Sequence, residues 1–261
     1  MGHSKNSGRR KFHAWATKKL RNITFLLAED ASKDLLQHAN PGFINLSEFE
    51  NLVADIADCI ILFPETKGAI AELGLFSGSK KASRKLLIVT DKKHQSKDSF
   101  INLGPMATID KASQFQPRLV LDLAKKRPDF ADVERRLKRL GQFRNRRQFT
   151  AATTNSIQRS ERLFVALELI NIFQIVTFQD LTELLTIVIG KPSQKELRRL
   201  VSILIAAKYV IRKGPDEDYL SSSGTPYSFF DFGGQDLEGL KTEIVDYYLT
   251  TDKERYDLLE A

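Results

Sequence analysis

The sequence predicts an α/β fold: a doubly wound, mostly parallel sheet, followed by a helical domain closed by a β-hairpin. Three observations carry this. The short apolar runs at 59–63 and 86–90 have the length and β-branched content of strands buried on both faces. Amphipathic helical stretches separate the runs, and strand–helix alternation is the pattern of a parallel sheet. Beyond residue 155 the pattern changes to three helical stretches and two short strands around a polar turn.

Composition bounds the rest. A chain of 261 residues holds one large or two modest domains, and 42% hydrophobic residues suffice for a core. Cys59 is the single cysteine and lies in an apolar run, so it reads as a small buried hydrophobe, and a reducing cytoplasm is expected. No apolar stretch reaches the roughly 18 residues that span a bilayer, so no membrane association is expected. The basic start has no apolar segment behind it, so it is not expected to act as a secretory signal. His3, His13, His38 and His94 lack ligand spacing, so no metal is expected. A phosphate-cradling Gly-x-x-x-x-Gly-Lys loop is absent from the sequence. The net charge of +7 points to an anionic partner, nucleic acid first, or to a soluble basic surface.

In chain order, residues 1–21 read as a basic arm, against phosphates or as a free tail. Residues 22–124 form the α/β domain. Residues 22–28 read as its first strand, with Glu29 and Asp30 at the carboxyl end. Ser47 and Glu50 have capping-box spacing before an apolar face of Phe49, Leu52, Val53, Ile56 and Ala57. The strand at 59–63 stops at Pro64, which cannot donate to a ladder. A polar loop ending at Gly68 follows, then a helix with Glu72 in its first turn, where the helix end favours an ionised carboxylate. Gly68 and Gly74 are expected where a ligand or strand comes close. Asp91 ends the strand at 86–90, and Lys92, Lys93, Lys97, Ser99 and Asn102 follow in a loop. Residues 106–109 and 119–123 are shorter strand candidates.

Residues 125–154 read as a basic helical linker in which Arg135, Arg136, Arg139, Arg146 and Arg147 face phosphates or solvent. Residues 155–261 read as a winged helix with a C-terminal helix. Thr177 caps its second helix, and Ser193 with Glu196 opens its third. That third helix buries Leu197, Leu200, Val201, Leu204 and Ile205 and turns Lys195, Arg198, Arg199 and Ser202 outward, as a recognition helix does. Residues 209–213 and 219–222 form the wing. Asp216, Glu217 and Asp218 make it acidic, which leaves nucleic acid or protein as its partner. The tail after Thr250 is expected to fray.

The central stretch carries a resemblance. Asp58-x-Ile60-Ile61-Leu62-Phe63-Pro64-Glu65, then Gly68, then Glu72-Leu73-Gly74 with Phe76-Ser77, resembles the nucleoside 2-deoxyribosyltransferase-like family, in particular its retron-associated effectors in bacterial phage defence. The likeness continues through Arg84-Lys85-Leu86 and Lys97-x-Ser99-Phe100-Ile101-Asn102-x-Gly104-Pro105. It implies a deoxyribosyltransferase-like α/β fold and makes Glu72 the carboxylate that attacks or stabilises the sugar C1′. Pro64, Gly68, Ser99 and Asn102 are expected to bind substrate, with Asp30 or Asp91 as a supporting carboxylate. Aligned backwards from Glu72, residues 23–30 match the family's second strand, so a looser substrate choice is expected.

The expected activity is N-glycosidic cleavage of NAD or a related nucleotide, as substrate and without a cofactor. The resemblance implies a retron reverse transcriptase and its branched RNA–DNA (msDNA) as partners, and a homo-oligomer is compatible. The alternatives are a catalytically degenerate nucleic-acid-binding adaptor and a nucleoside deoxyribosyltransferase. Arg198 and Arg199, with the linker arginines, are the expected nucleic-acid contacts.

Overall fold

The computed structural model describes residues 7–20, 23, 25–38, 46–94, 98–140, 147–148, 157, 161–224 and 230–261. The chain forms two compact units that interleave in sequence: Met1–Phe25 with Asn51–Arg144, and Leu26–Glu50 with Asn145–Ala261.

The first unit is built on a parallel sheet of β1 (Ile60–Leu62), β2 (Leu86–Asp91) and β3 (Leu119–Leu121), in that spatial order. β2 is central and every residue of it is buried, as an apolar run in a parallel sheet must be. Its side chains alternate between two cores. Leu87 and Val89 join Phe12, Ala16, Phe63, Phe130 and Val133, from α1 (Gly8–Lys19), the end of β1 and α7 (Ala131–Leu137). Leu86 and Ile88 join Leu73, Phe76, Ala82 and Ile109, from α4 (Lys67–Ser77), α5 (Lys80–Lys85) and α6 (Ala107–Ala112). Both crossover connections therefore lie on one face, while α1 and α7 cover the other. The three strands run in chain order without the reversal that a doubly wound sheet has at its switch point.

Several expectations change. Residues 8–19 are not an arm: Phe12, Ala16 and Trp15 pack α1 into the first core. The stretch at 22–28 is not a strand where it is described; residues 25–27 are irregular and Ala28 opens α2 (Ala28–His38). α3 runs Leu46–Ile56, so Ser47 falls within its range, and its side chain lies outside the described residues. Residues 106–109 are helical: Met106 and Ile109 are buried at i and i+3, one helix face, and a π-helical turn at Asn102–Met106 leads into α6. Among the described residues, the basic stretch is helical over α7 and a 3₁₀ turn at Lys138–Leu140.

The second unit holds α2, α8 (Arg162–Phe173), α9 (Phe178–Ile189), α10 (Gln194–Ala206), α11 (Leu237–Thr251) and α12 (Lys253–Glu260). β5 (Ile175–Thr177), β6 (Val210–Lys213) and β7 (Tyr219–Ser222) form an antiparallel sheet in the order β5-β7-β6. A two-residue pairing of β4 (Arg147–Gln148) with β8 (Phe230–Asp231) is parallel. Thr177 makes a reciprocal capping box with Asp180 at the start of α9. The tail after Thr250 is not frayed: Arg255 of α12 pairs with Asp180 at 2.8 Å, and the Lys213 ammonium donates to the Leu258 carbonyl. Among the described residues no helix is long and apolar enough to cross a membrane.

Candidate functional site

Glu72 belongs to the helix that leaves the carboxyl end of β1. Thr66 is the N-cap, its hydroxyl accepting from the Ala69 amide at 3.1 Å, so the helix starts two residues earlier than the sequence suggests. Glu72 therefore falls in the second turn, roughly 9 Å along the axis at about 1.5 Å per residue. The helix-end field fades within the first turn, so Glu72 lies beyond its main reach. Glu72 shares the i, i+3, i+4, i+7 stripe of Ala69, Leu73 and Phe76, which packs into the second core, and it is half-buried there. Gly68 and Gly74 are exposed. A Cβ at Gly68 would meet nothing nearer than the Thr66 hydroxyl at 3.9 Å, and one at Gly74 nothing within 4 Å, so close packing requires neither glycine.

The expected supporting carboxylates have local partners of their own. Asp91 is buried at the carboxyl end of β2, accepting from the Lys93 amide at 3.2 Å and pairing with its ammonium at 3.6 Å. Strand alternation puts it with Leu87 and Val89, on the α1 and α7 face, whereas α4 packs on the other. Asp30 lies in the first turn of α2, in the second unit, and pairs with Lys33. The other expected ligands serve local structure. Pro64 follows β1 in a tight turn that brings the Glu65 amide within 2.7 Å of the Phe63 carbonyl. The Ser99 hydroxyl accepts from the Asn102 amide, and the Asn102 side chain accepts from Arg118 at 2.6 Å. Lys97 lies outside the described residues. Burial pushes the Cys59 thiol well above its ordinary range, with Asp58 adding to this.

Sequence reasoning missed Glu65. Its carboxylate accepts from the Gly8 and Arg9 amides at 2.9 and 3.2 Å, fastening the start of α1 beside the carboxyl end of β1. Its partners lie 57 and 56 residues away, so no local pattern could reveal them.

The expected nucleic-acid contacts are also rearranged. Arg135 pairs with Asp132, and Arg136 donates to the Phe115 and Pro117 carbonyls. The side chains of Arg139 and Arg147, and all of Arg146, lie outside the described residues. Arg198 sits over the Phe178 ring at 4.8 Å. Arg199 and Ser202 do not face outward: they are 3% and 2% exposed. α2 lies along α10 and brings Asp34 onto Ser202 at 2.6 Å and onto Arg212 at 3.1 Å. Glu48, on α3, takes Arg199 at 2.7 Å and Lys195 at 2.9 Å. These cations hold the Glu48 carboxyl down at about 2, Arg199 first. A cavity of about 450 Å³ opens at the start of α10, lined by Glu48, Arg162, Ser193, Lys195, Glu196 and Arg199. Among the described residues, no group of His, Cys, Asp or Glu could hold a metal ion.

A candidate ribosyltransferase and DNA-binding protein of retron Ec86 from Escherichia coli is 42% identical over 93 residues, covering 36% of this chain and 30% of the relative. Its counterpart from retron Ec73, also of Escherichia coli, is 35% identical over 118 residues, covering 43% of this chain and 37% of the relative. The matched segments thus span well under half the length of these relatives. The family model described as "STM3845 retron effector protein" matches residues 5–212, and the chain belongs to that retron effector family.

Proposed function

We propose that this retron effector cleaves the N-glycosidic bond of NAD or a related nucleotide with Glu72 as its carboxylate, and that its second unit is a winged helix binding nucleic acid. The reading is carried by one observation: Glu72 is half-buried on the core-facing stripe of the helix that follows β1. A half-buried carboxylate is less screened by water than a fully exposed one, so it interacts more strongly with a developing positive charge. The strand–loop–helix order from β1 to α4 supports the deoxyribosyltransferase-like reading.

N-glycosidic cleavage builds positive charge on the sugar. Glu72 stabilises that charge or attacks C1′ to form a covalent intermediate. The C1′–N bond electrons go to the leaving base, and water supplies the hydroxyl that ends on C1′, releasing a proton. With Asp91 on the opposite face of the sheet, the site offers Glu72 no general-acid partner from that residue. Nicotinamide, bonded through its pyridinium nitrogen, leaves neutral and needs no proton, whereas adenine or a pyrimidine leaves better protonated. This favours an NAD-type substrate.

For the second unit, the order of α8, β5, α9, α10, β6 and β7, with β7 between β5 and β6, supports the winged-helix reading. The names of the two Escherichia coli relatives combine ribosyltransferase with DNA binding, which supports the pairing of roles. Retron reverse transcriptase and its branched RNA–DNA are the partners expected to hold the effector in check. The test is to incubate the chain with these partners and NAD, and to follow products by chromatography. Nicotinamide with ADP-ribose is the expected result. Base exchange between nucleosides would make the protein a deoxyribosyltransferase. Neither product, with nucleic-acid binding retained, would make it an adaptor.

A further inference from the structure

Two acids from the segment Leu26–Glu50 close the polar side of α10, and they differ in setting. Asp34 and its partner Arg212 are enclosed, with side chains 11% and 16% exposed. The Glu48 side chain is 50% exposed, although the Arg199 it grips is 4% exposed. A solvated carboxylate exchanges for another anion at small cost, whereas an enclosed one does not.

The cavity beside Glu48 suits an anion. Arg162, Lys195 and Arg199 line it, at the amino end of a 13-residue helix whose first amides carry positive partial charge. The opposing Glu196 is engaged by Arg162 only at 3.4 Å. Arg199 supplies a second, independent sign. It lines the cavity, it is 3% exposed, and its Nε has no partner among the described residues. A buried donor without an acceptor is unfavourable unless a ligand or water supplies one. A phosphodiester brings a full negative charge and two free oxygens, which a guanidinium fork can take together.

We infer that this cavity binds a backbone phosphate of nucleic acid, and that Glu48 is an internal carboxylate holding the site until a phosphate replaces it. The inference rests on reading the second unit as a nucleic-acid binder, and it adds a competitor within the same chain. Glu48 keeps Arg199 and Lys195 paired when no nucleic acid is present, which reduces indiscriminate binding by a basic protein.

The test is fluorescence anisotropy of the full chain with a short fluorescein-labelled DNA duplex, over a salt series. Glu48→Gln should tighten binding several-fold at low salt. It should also steepen the log–log salt slope by about 0.9, one phosphate's worth. Lys195→Gln should weaken binding and flatten the slope by a similar amount. Glu238→Gln removes the same charge from an exposed position on α11 and should change neither. Unchanged or weaker binding by Glu48→Gln, or an equal gain in Glu238→Gln, overturns the inference and leaves nucleic-acid binding standing. Should Glu48→Gln fail to fold, Lys195→Gln decides: an unaltered slope overturns the site. Inorganic phosphate, compared with chloride at equal ionic strength, should displace little DNA, and full displacement would reassign the site to free phosphate. No DNA binding by the unaltered chain overturns the nucleic-acid reading and this inference with it.

Discussion

At the scale of single residues, Gly8 is required by space. A Cβ there would stand 2.5 Å from Leu123 Cδ1 and 3.0 Å from Glu65 Oε1, and Leu123 is itself locked in the first core. Gly8→Ala should therefore destabilise the protein by about 1–3 kcal/mol, the usual range for overpacking, as measured by denaturant titration. Glu48 offers a test by pH. Arg199 and Lys195 lower its carboxyl from 4.5 to about 2. A carboxylate lowered in the folded state stabilises it above the unfolded value, and that stability goes as the pH falls through the folded one. Acid titration should show stability lost between pH 4.5 and about 2 in the unaltered chain, and that portion missing in Glu48→Gln. A superimposable pair of acid curves would mean that the ion pair is absent in solution.

At the scale of elements, what the sequence revealed is what local chemistry decides. β2 is legible because an apolar run in a parallel sheet has no other stable place. α9 is legible because Thr177 and Asp180 satisfy each other's backbone groups within one turn. The hairpin of β6 and β7 is legible because Gly214 and Glu217 take the left-handed backbone its turn needs, at φ 87° and 57°. α2 was not legible. The apolar stretch before it matches a strand as well as any other element, since periodicity cannot classify so short a run. The polar face of α10 misled for a related reason. Polar residues usually mean solvent, but here Arg199 meets an acid 151 residues upstream and Ser202 one 168 residues upstream. For the candidate site, the motif placed Glu72 on its helix. The face on which Asp91 lies depends on strand alternation against two separate cores, which no single stretch encodes.

At the scale of the whole molecule, the chain leaves its first unit after Phe25, lays a segment against the second, and returns at Asn51. The second unit thus depends on residues placed long before it in sequence. Asp34→Ala should show this. It leaves the Arg212 guanidinium, 16% exposed, without its carboxylate, and Ser202, 2% exposed, without its acceptor. Breaking such an enclosed pair costs about 3–5 kcal/mol, so the thermal transition of the second unit should fall markedly. A loss within a few tenths of a kcal/mol of zero would mean that α2 is not held there.

The central claim is that Glu72 performs glycosidic chemistry within a retron effector. The most direct measurement is the rate of NAD cleavage by Glu72→Gln, assembled with the same partners as the unaltered chain and checked for an unchanged melting temperature. The substitution keeps the shape and removes the charge that meets the oxocarbenium-like transition state. Loss of one such contact costs about 2.7–4 kcal/mol, so the rate should fall roughly a hundred- to a thousandfold with the fold intact. Undiminished cleavage by a stable Glu72→Gln protein would contradict the account.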